Sequence, residues 1–149
     1  MAQTYIGSTL RTGSGTLTDS TDGGFVVVSQ TTTVTTVAAG TAVSASVTLP
    51  DSSQIIQFFV DQVVNEVVGA GTATAVNATI GTAAAGTQYL SATDVIGGGR
   101  AALTFTAAQL LAMSNISSNT GVYFTIAPNG TISTTQGVYR LTVVYAQKV

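Results

Sequence analysis

Between Val43 and Leu49 apolar and hydroxyl side chains alternate without a break, Val43, Ala45, Val47 and Leu49 against Ser44, Ser46 and Thr48. Successive side chains of a strand point to opposite faces, so this period of two predicts a β-strand with one core face and one hydroxyl face. Pro50, Asp51, Ser52 and Ser53 read as a turn. The run Ile55 to Val64 then predicts a central strand in which Ile56, Phe58 and Val60 alternate against Gln57, Phe59 and Asp61, with Phe59 covered by another part of the molecule. Further strands are expected at Phe25 to Gln30, continuing through the Thr-rich tract to Val37, because Thr and Val both fit a pleated surface. Downstream, Thr72 to Ile80, Gln88 to Ala92, Val122 to Ala127 and Val138 to Gln147 complete seven or eight strands.

One segment breaks the period. Thr106, Ala107, Ala108 and Gln109 form a Thr-x-x-Gln capping box followed by Leu110, Leu111 and Met113, which predicts a helix of two to three turns within a connection. Pro128, Asn129 and Gly130 supply the positive backbone angles of a tight reversal, so the strands on either side are expected to pair. Gly97, Gly98 and Gly99 mark a second corner. Short strands joined by Gly-rich turns predict an all-β, antiparallel two-sheet sandwich, jelly-roll or immunoglobulin-like, with one short helix in a connecting loop. Its domain is placed at residues 25–149, and residues 1–24 are expected to form an N-terminal arm or first strand, partly extended.

Composition narrows the function. Among 149 residues there is no histidine, cysteine or tryptophan, and four Lys/Arg with six Asp/Glu make the chain 7% charged. Ser and Thr together make roughly a quarter of it, so its surface must be rich in hydroxyls where an average protein carries charge. The net charge of −2 gives little self-repulsion against association. Arg11, Arg100, Arg140 and Lys148 are too few and too scattered for phosphate neutralisation, so no nucleic-acid partner is expected. No stretch reaches the apolar length of a membrane-spanning helix, so no membrane partner is expected either. Residues 1–11 lack the basic end and apolar stretch of a secretory signal. The absence of cysteine excludes a disulfide framework.

Candidate chemistry is sparse. Asp19 to Gly24 places two carboxylates near glycines but lacks the further acids of a calcium loop, and reads as a plain turn. Asp61 and Glu66, five apart in a strand, would stand on opposite faces roughly 16 Å apart, too far for a glycosidase pair. Asp61 is instead expected to be solvated or paired with Arg100 or Arg140, a structural role, and Asp94 likewise. No serine has a histidine to take its proton, and Gly97 to Arg100 lacks the lysine and spacing of a phosphate loop. The Asn77, Asn115 and Asn129 glycosylation patterns are of the kind that a hydroxyl-rich chain produces by chance. Phe58, Phe124, Tyr139 and Tyr145 occupy alternating strand positions and are expected in the core, whereas Tyr5, Tyr89 and Tyr123 are candidate surface contacts for a carbohydrate-binding or adhesive module. The chain is therefore expected not to be an enzyme and to have no catalytic, cofactor-binding or metal-binding residues.

Over about Val43 to Gln147 the chain resembles the small virion structural proteins of tailed bacteriophages. The resemblance is carried by Val47-Thr-Leu-Pro50 with Ile55 and Asp61, Ile80-Gly-Thr-Ala-Ala-Ala-Gly-Thr-Gln-Tyr89, Gly99-Arg100, Phe105-Thr-Ala-Ala-Gln109 and Gly137-Val-Tyr-Arg140-Leu-Thr-Val-Val-Tyr145. It implies a β-sandwich or jelly-roll protein that decorates or cements a capsid, often as a trimer, with no catalytic residues to carry over. Related domains occur in tail and fibre components. The partners implied are the major capsid protein of a phage and further copies of the chain, as a homotrimer, on the capsid surface of a virion assembled in the host cytoplasm. Tyr5, Ile6 and Arg11 of the arm are the expected contacts with a neighbouring subunit or the capsid.

Overall fold

A computed structural model of the chain describes residues 11–12, 15–16, 25–65, 71–131 and 136–148. In chain order the elements are β1 (Arg11–Thr12), β2 (Gly15–Thr16), β3 (Phe25–Thr35), β4 (Val43–Leu49), β5 (Ser53–Val64), β6 (Val76–Gly81), β7 (Leu90–Asp94), β8 (Gly99–Arg100), α1 (Ala107–Met113), β9 (Thr120–Pro128) and β10 (Val138–Lys148). β1 and β2 form a small antiparallel ladder. The other eight strands make two four-stranded antiparallel sheets, β3-β10-β5-β8 and β4-β9-β6-β7.

The pairing is nested: β3 with β10, β4 with β9, β5 with β8 and β6 with β7. This is a long antiparallel hairpin rolled up so that β10 also meets β5 and β9 also meets β6, the jelly-roll topology. All-antiparallel sheets can bury one face and leave the other to solvent, which is what the alternating sequence dictates. Leu49, Phe58, Val60, Val76, Ile80, Val122, Phe124, Ile126, Tyr139, Leu141 and Val143 face inward between the sheets and are buried. Each such aliphatic or aromatic side chain contributes roughly 1.5–3 kcal/mol by leaving water.

β4 has the bounds that its alternation predicts, and β6, which begins at Val76 where the strand was expected from Thr72, fills the core with Val76, Ala78 and Ile80. The helix starts at the expected capping box: Gln109 N–H donates to Thr106 Oγ1 at 3.2 Å, and Thr106 N–H donates to Gln109 Oε1 at 2.9 Å. β5 is central, between β10 and β8, and Phe58 and Val60 face inward as the alternation predicts, but Ile56 does not. Tyr145 is opposite Ile55 and Val144 opposite Gln57, so Ile56 is the extra residue of a β-bulge and is exposed, while Ile55 turns inward. A bulge puts two residues against one and shifts the inward set by one position, which a nearly continuous apolar run does not reveal.

The expected pairing across Pro128, Asn129 and Gly130 does not occur: β9 and β10 lie in different sheets. Neither Asn129 nor Gly130 has positive φ. Instead Asn129 Oδ1 accepts the N–H groups of Thr74 and Ala75 at 2.8 and 3.0 Å, pinning the approach to β6. Glycine is required at 130 by close approach, because a Cβ there would lie 2.8 Å from the Thr72 carbonyl carbon. The Gly97–Gly99 corner does need left-handed backbone, with φ of 119°, 83° and 77°.

Candidate interaction surface

The outward face of β3-β10-β5-β8 gathers most of the unusual surface of the described residues, and the register orders it in rows. Thr33, Arg140, Asp61 and Arg100 stand side by side across the four strands. The next rows are Thr31, Thr142 and Phe59, then Ser29, Val144 and Gln57, then Val27, Ala146 and Gln54, with Phe25 at the far end of β3. The charged row thus lies near one end of the sheet, followed only by Thr35, Val138 and the exposed Val64, the middle is hydroxyl and amide, and the other end is apolar. Phe25 and Val27 are each 63% exposed, and Ile56 adds to them from its bulge.

The charged end is a clasp of three side chains on three neighbouring strands. Arg100 Nε donates to Asp61 Oδ1 at 2.8 Å and its Nη2 to Oδ2 at 3.3 Å, while Arg140 Nη2 donates to Oδ2 at 3.1 Å. Of the two arginines that were alternatives in sequence, Asp61 takes both. Its side chain is 12% exposed, whereas the arginines remain largely in solvent, so the carboxylate is covered by its own partners and water screening stays strong. The bonds from Arg100 hold the Asp61 carboxyl below its ordinary value of 3.8 against the opposing effect of burial, and Arg140 adds to the lowering. Asp61 raises Arg100 in return. The Arg100 guanidinium lies 4.2 Å from the Phe59 ring centroid and provides the cover that Phe59 was expected to have.

Beneath the clasp, Gln62 faces inward in phase with Phe58 and Val60. Its Nε2 donates to the Tyr139 hydroxyl at 3.0 Å, and its Oε1 accepts the Gly98 N–H at 2.5 Å. Sequence reading missed this residue, although a Gln within an apolar run beside a Gly-rich corner is a signal for a buried polar tie. Asp94 also acts locally, its Oδ1 accepting the N–H groups of Val76 and Ile96 at 3.0 and 3.1 Å.

At the apolar end, Phe25, Ser52, Gln54, Ser114 and Asn115 line a shallow groove of about 300 Å³ together with Ser53. Leu110 and Leu111 of α1 are also exposed.

The core aromatics fall where alternation placed them, with Phe58, Phe124, Tyr139 and Tyr145 all buried. The candidate contact Tyr89 is overturned: it is 3% exposed, packs against Phe58 with ring centroids 5.9 Å apart, and its hydroxyl is raised by burial. It follows β6 through the bond from Tyr89 N–H to Ile80 O, which turns it under the sandwich. Tyr123 is half-buried. Tyr5, Ile6, the Asp19–Gly24 turn and Glu66 lie outside the described residues, and Arg11 is placed only by the backbone of β1. Among the described residues no three acidic side chains converge, and no helix is long and apolar enough to cross a membrane.

No family model and no curated protein matches the chain. Among solved structures, a chain from the cyanophage Pam1 capsid asymmetric unit superposes with a TM-score of 0.59 over 83% of this chain and 86% of that one, at 21% identity. This chain therefore shares its two-sheet fold with a protein found in a phage capsid.

Proposed function

We propose that the chain is a non-enzymatic structural protein of a phage virion, decorating or cementing the capsid as a homo-oligomer in contact with the major capsid protein. The likeness to a cyanophage capsid chain over most of both lengths carries this reading. A jelly roll by itself hosts many functions, so the surface has to support the assignment separately. It does so through an outer sheet face of threonines, serines and glutamines with an apolar end, suited to many weak contacts repeated over a lattice. Of the tyrosines that suggest glycan binding, Tyr89 is buried and Tyr123 half-buried. In this reading the protein sits on the capsid surface and is assembled with it in the host cytoplasm.

Addition of the purified chain to capsids that lack it tests the proposal. Expected is saturable binding, with new density on the head shell by electron microscopy. No binding to heads, or density on the tail alone, overturns the capsid role.

A further inference from the structure

Four strands end the two sheets laterally, and three of them are blocked in some way. β8 is two residues long and carries Arg100, tied to Asp61. β7 ends at Asp94, and its pairing with β6 is broken by a register shift between Ala78 and Ile80. On β4 the Thr48 carbonyl accepts the side chain of Gln30 at 3.1 Å. β3 differs from all of them. Its eleven residues, FVVVSQTTTVT, contain no charge and no proline, run without a bulge against β10, and have no strand on the other side among the described residues. Long, regular, uncharged edges pair with other chains, and proteins that must avoid this add charge, proline or a bulge.

We propose that β3 pairs antiparallel with β3 of a second copy of this chain about a two-fold axis, joining the two β3-β10-β5-β8 sheets into one. A second copy fits the edge for two reasons. An uncharged strand offers no complement to a charged partner, whereas against itself it meets no repulsion at any position. With Gln30 opposite itself, Phe25 falls opposite Thr35, Val27 opposite Thr33 and Ser29 opposite Thr31, so every residue of the solvent-facing set meets another of that set. The exposed Phe25 and Val27 then lie beside threonine methyl groups in cross-strand pairs of a favourable kind. Such a contact is isologous and uses the same surface of both copies. It makes a dimer or links neighbouring oligomers, and a trimer would be built through other surfaces. The pairing does not depend on capsid binding.

Thr31→Lys and Thr31→Glu test it by analytical ultracentrifugation. Thr31 is exposed and opposite Thr142 within its own sheet, and in the pair it lies diagonal to its counterpart. The unaltered chain is expected to associate with rising concentration, each variant alone to associate about tenfold more weakly, and an equal mixture of the two to recover. An unaltered chain that stays monomeric, variants that associate as it does, or a mixture that fails to recover overturns the proposal. A second test uses the absence of native cysteine. An oxidised mixture of Ser29→Cys and Thr31→Cys is expected to give a cross-linked dimer on non-reducing electrophoresis, and its absence overturns the pairing independently. Thr31→Lys monomers that still bind capsids would separate this contact from the capsid role.

Discussion

The two edges of one sheet are built on opposite principles. At the β8 edge, Arg100 and Arg140 bracket Asp61, the three glycines of the 97–99 corner take positive φ, and Gln62 ties that corner to the core. At the β3 edge, eleven residues of Val, Thr, Ser, Gln and Phe run straight to the end of the sheet. In a chain that is only 7% charged, the placement of charge is informative. Two of its four basic residues meet at one acid near β8, and none lies on β3. A sheet that needed both edges silent would divide its charges between them, since a single lysine is enough to discourage pairing. The difference therefore separates an edge that belongs to the fold from one that faces outward to other chains.

The strongest way to break that contrast is at Gln62. The side chain is buried and holds the Gly98 N–H on one side and the Tyr139 hydroxyl on the other. Gln62→Leu keeps the size but removes the acceptor for Gly98 and one donor to Tyr139. The expected loss is about 2 kcal/mol, the usual cost of stranding a buried polar group, measured as a shift in the urea midpoint. Thermal unfolding should fall by roughly 4–8 °C for a chain of this size. A loss under about 0.5 kcal/mol would mean that the β8 corner stands without its tie.

Why the sequence showed one edge better than the other follows from the same physics. β4 is legible because the alternation of Val, Ala and Leu against Ser and Thr has a phase that can be counted, and β3 because Phe, Val and Thr all fit a pleated surface. The helix was legible because a Thr and a Gln three apart satisfy each other's backbone groups locally. β8 has two residues and no period, and its existence depends on Arg100 finding Asp61 some forty residues earlier, roughly the separation of a non-local β pairing, which no local pattern encodes. The Ile56 bulge is silent for a similar reason: in a run that is apolar at nearly every position, a slipped phase leaves the pattern unchanged. The Asn-Gly signal after Pro128 predicts a hairpin, yet Asn129 uses its side chain to hold residues 74 and 75, so a strong local turn signal serves a contact distant in sequence. The clasp was half legible. The sequence offers two arginines as partners for Asp61, and only the register shows that both stand in its row.

Asp61→Asn sharpens the contrast at lower cost. It keeps the shape, halves the acceptor strength and leaves two arginines near each other, with an expected loss of about 1 kcal/mol because both guanidiniums are solvated. The more diagnostic readout is pH. The folded carboxyl titrates below its ordinary value of 3.8, so the folded state holds the proton less tightly than the unfolded one. Its contribution is fully present above the unfolded value and is lost as pH falls through the lower, folded one. Acid titration of stability should therefore show a step below about pH 4 that Asp61→Asn lacks. An identical acid profile in the variant would show that the clasp contributes nothing to the guarded edge.

The smallest expected effect is the one that tests the open edge. Thr33 is exposed, stands at the end of the charged row beside Arg140, and has a β-branched shape that valine reproduces. Thr33→Val removes a hydroxyl that faces water, so folding stability should stay within about 0.5 kcal/mol of the unaltered chain. Association should respond instead. In the proposed pair Thr33 meets Val27 of the other copy, and exchanging a hydroxyl for a methyl group there adds apolar contact, so the dimer should tighten modestly in the same sedimentation experiment. The two edges then answer in different currencies, Gln62 and Asp61 in folding free energy and Thr33 in affinity between copies. A loss of folding stability above about 1 kcal/mol at Thr33 would place its hydroxyl among the groups that hold the sheet together, and the distinction between the two edges would fail.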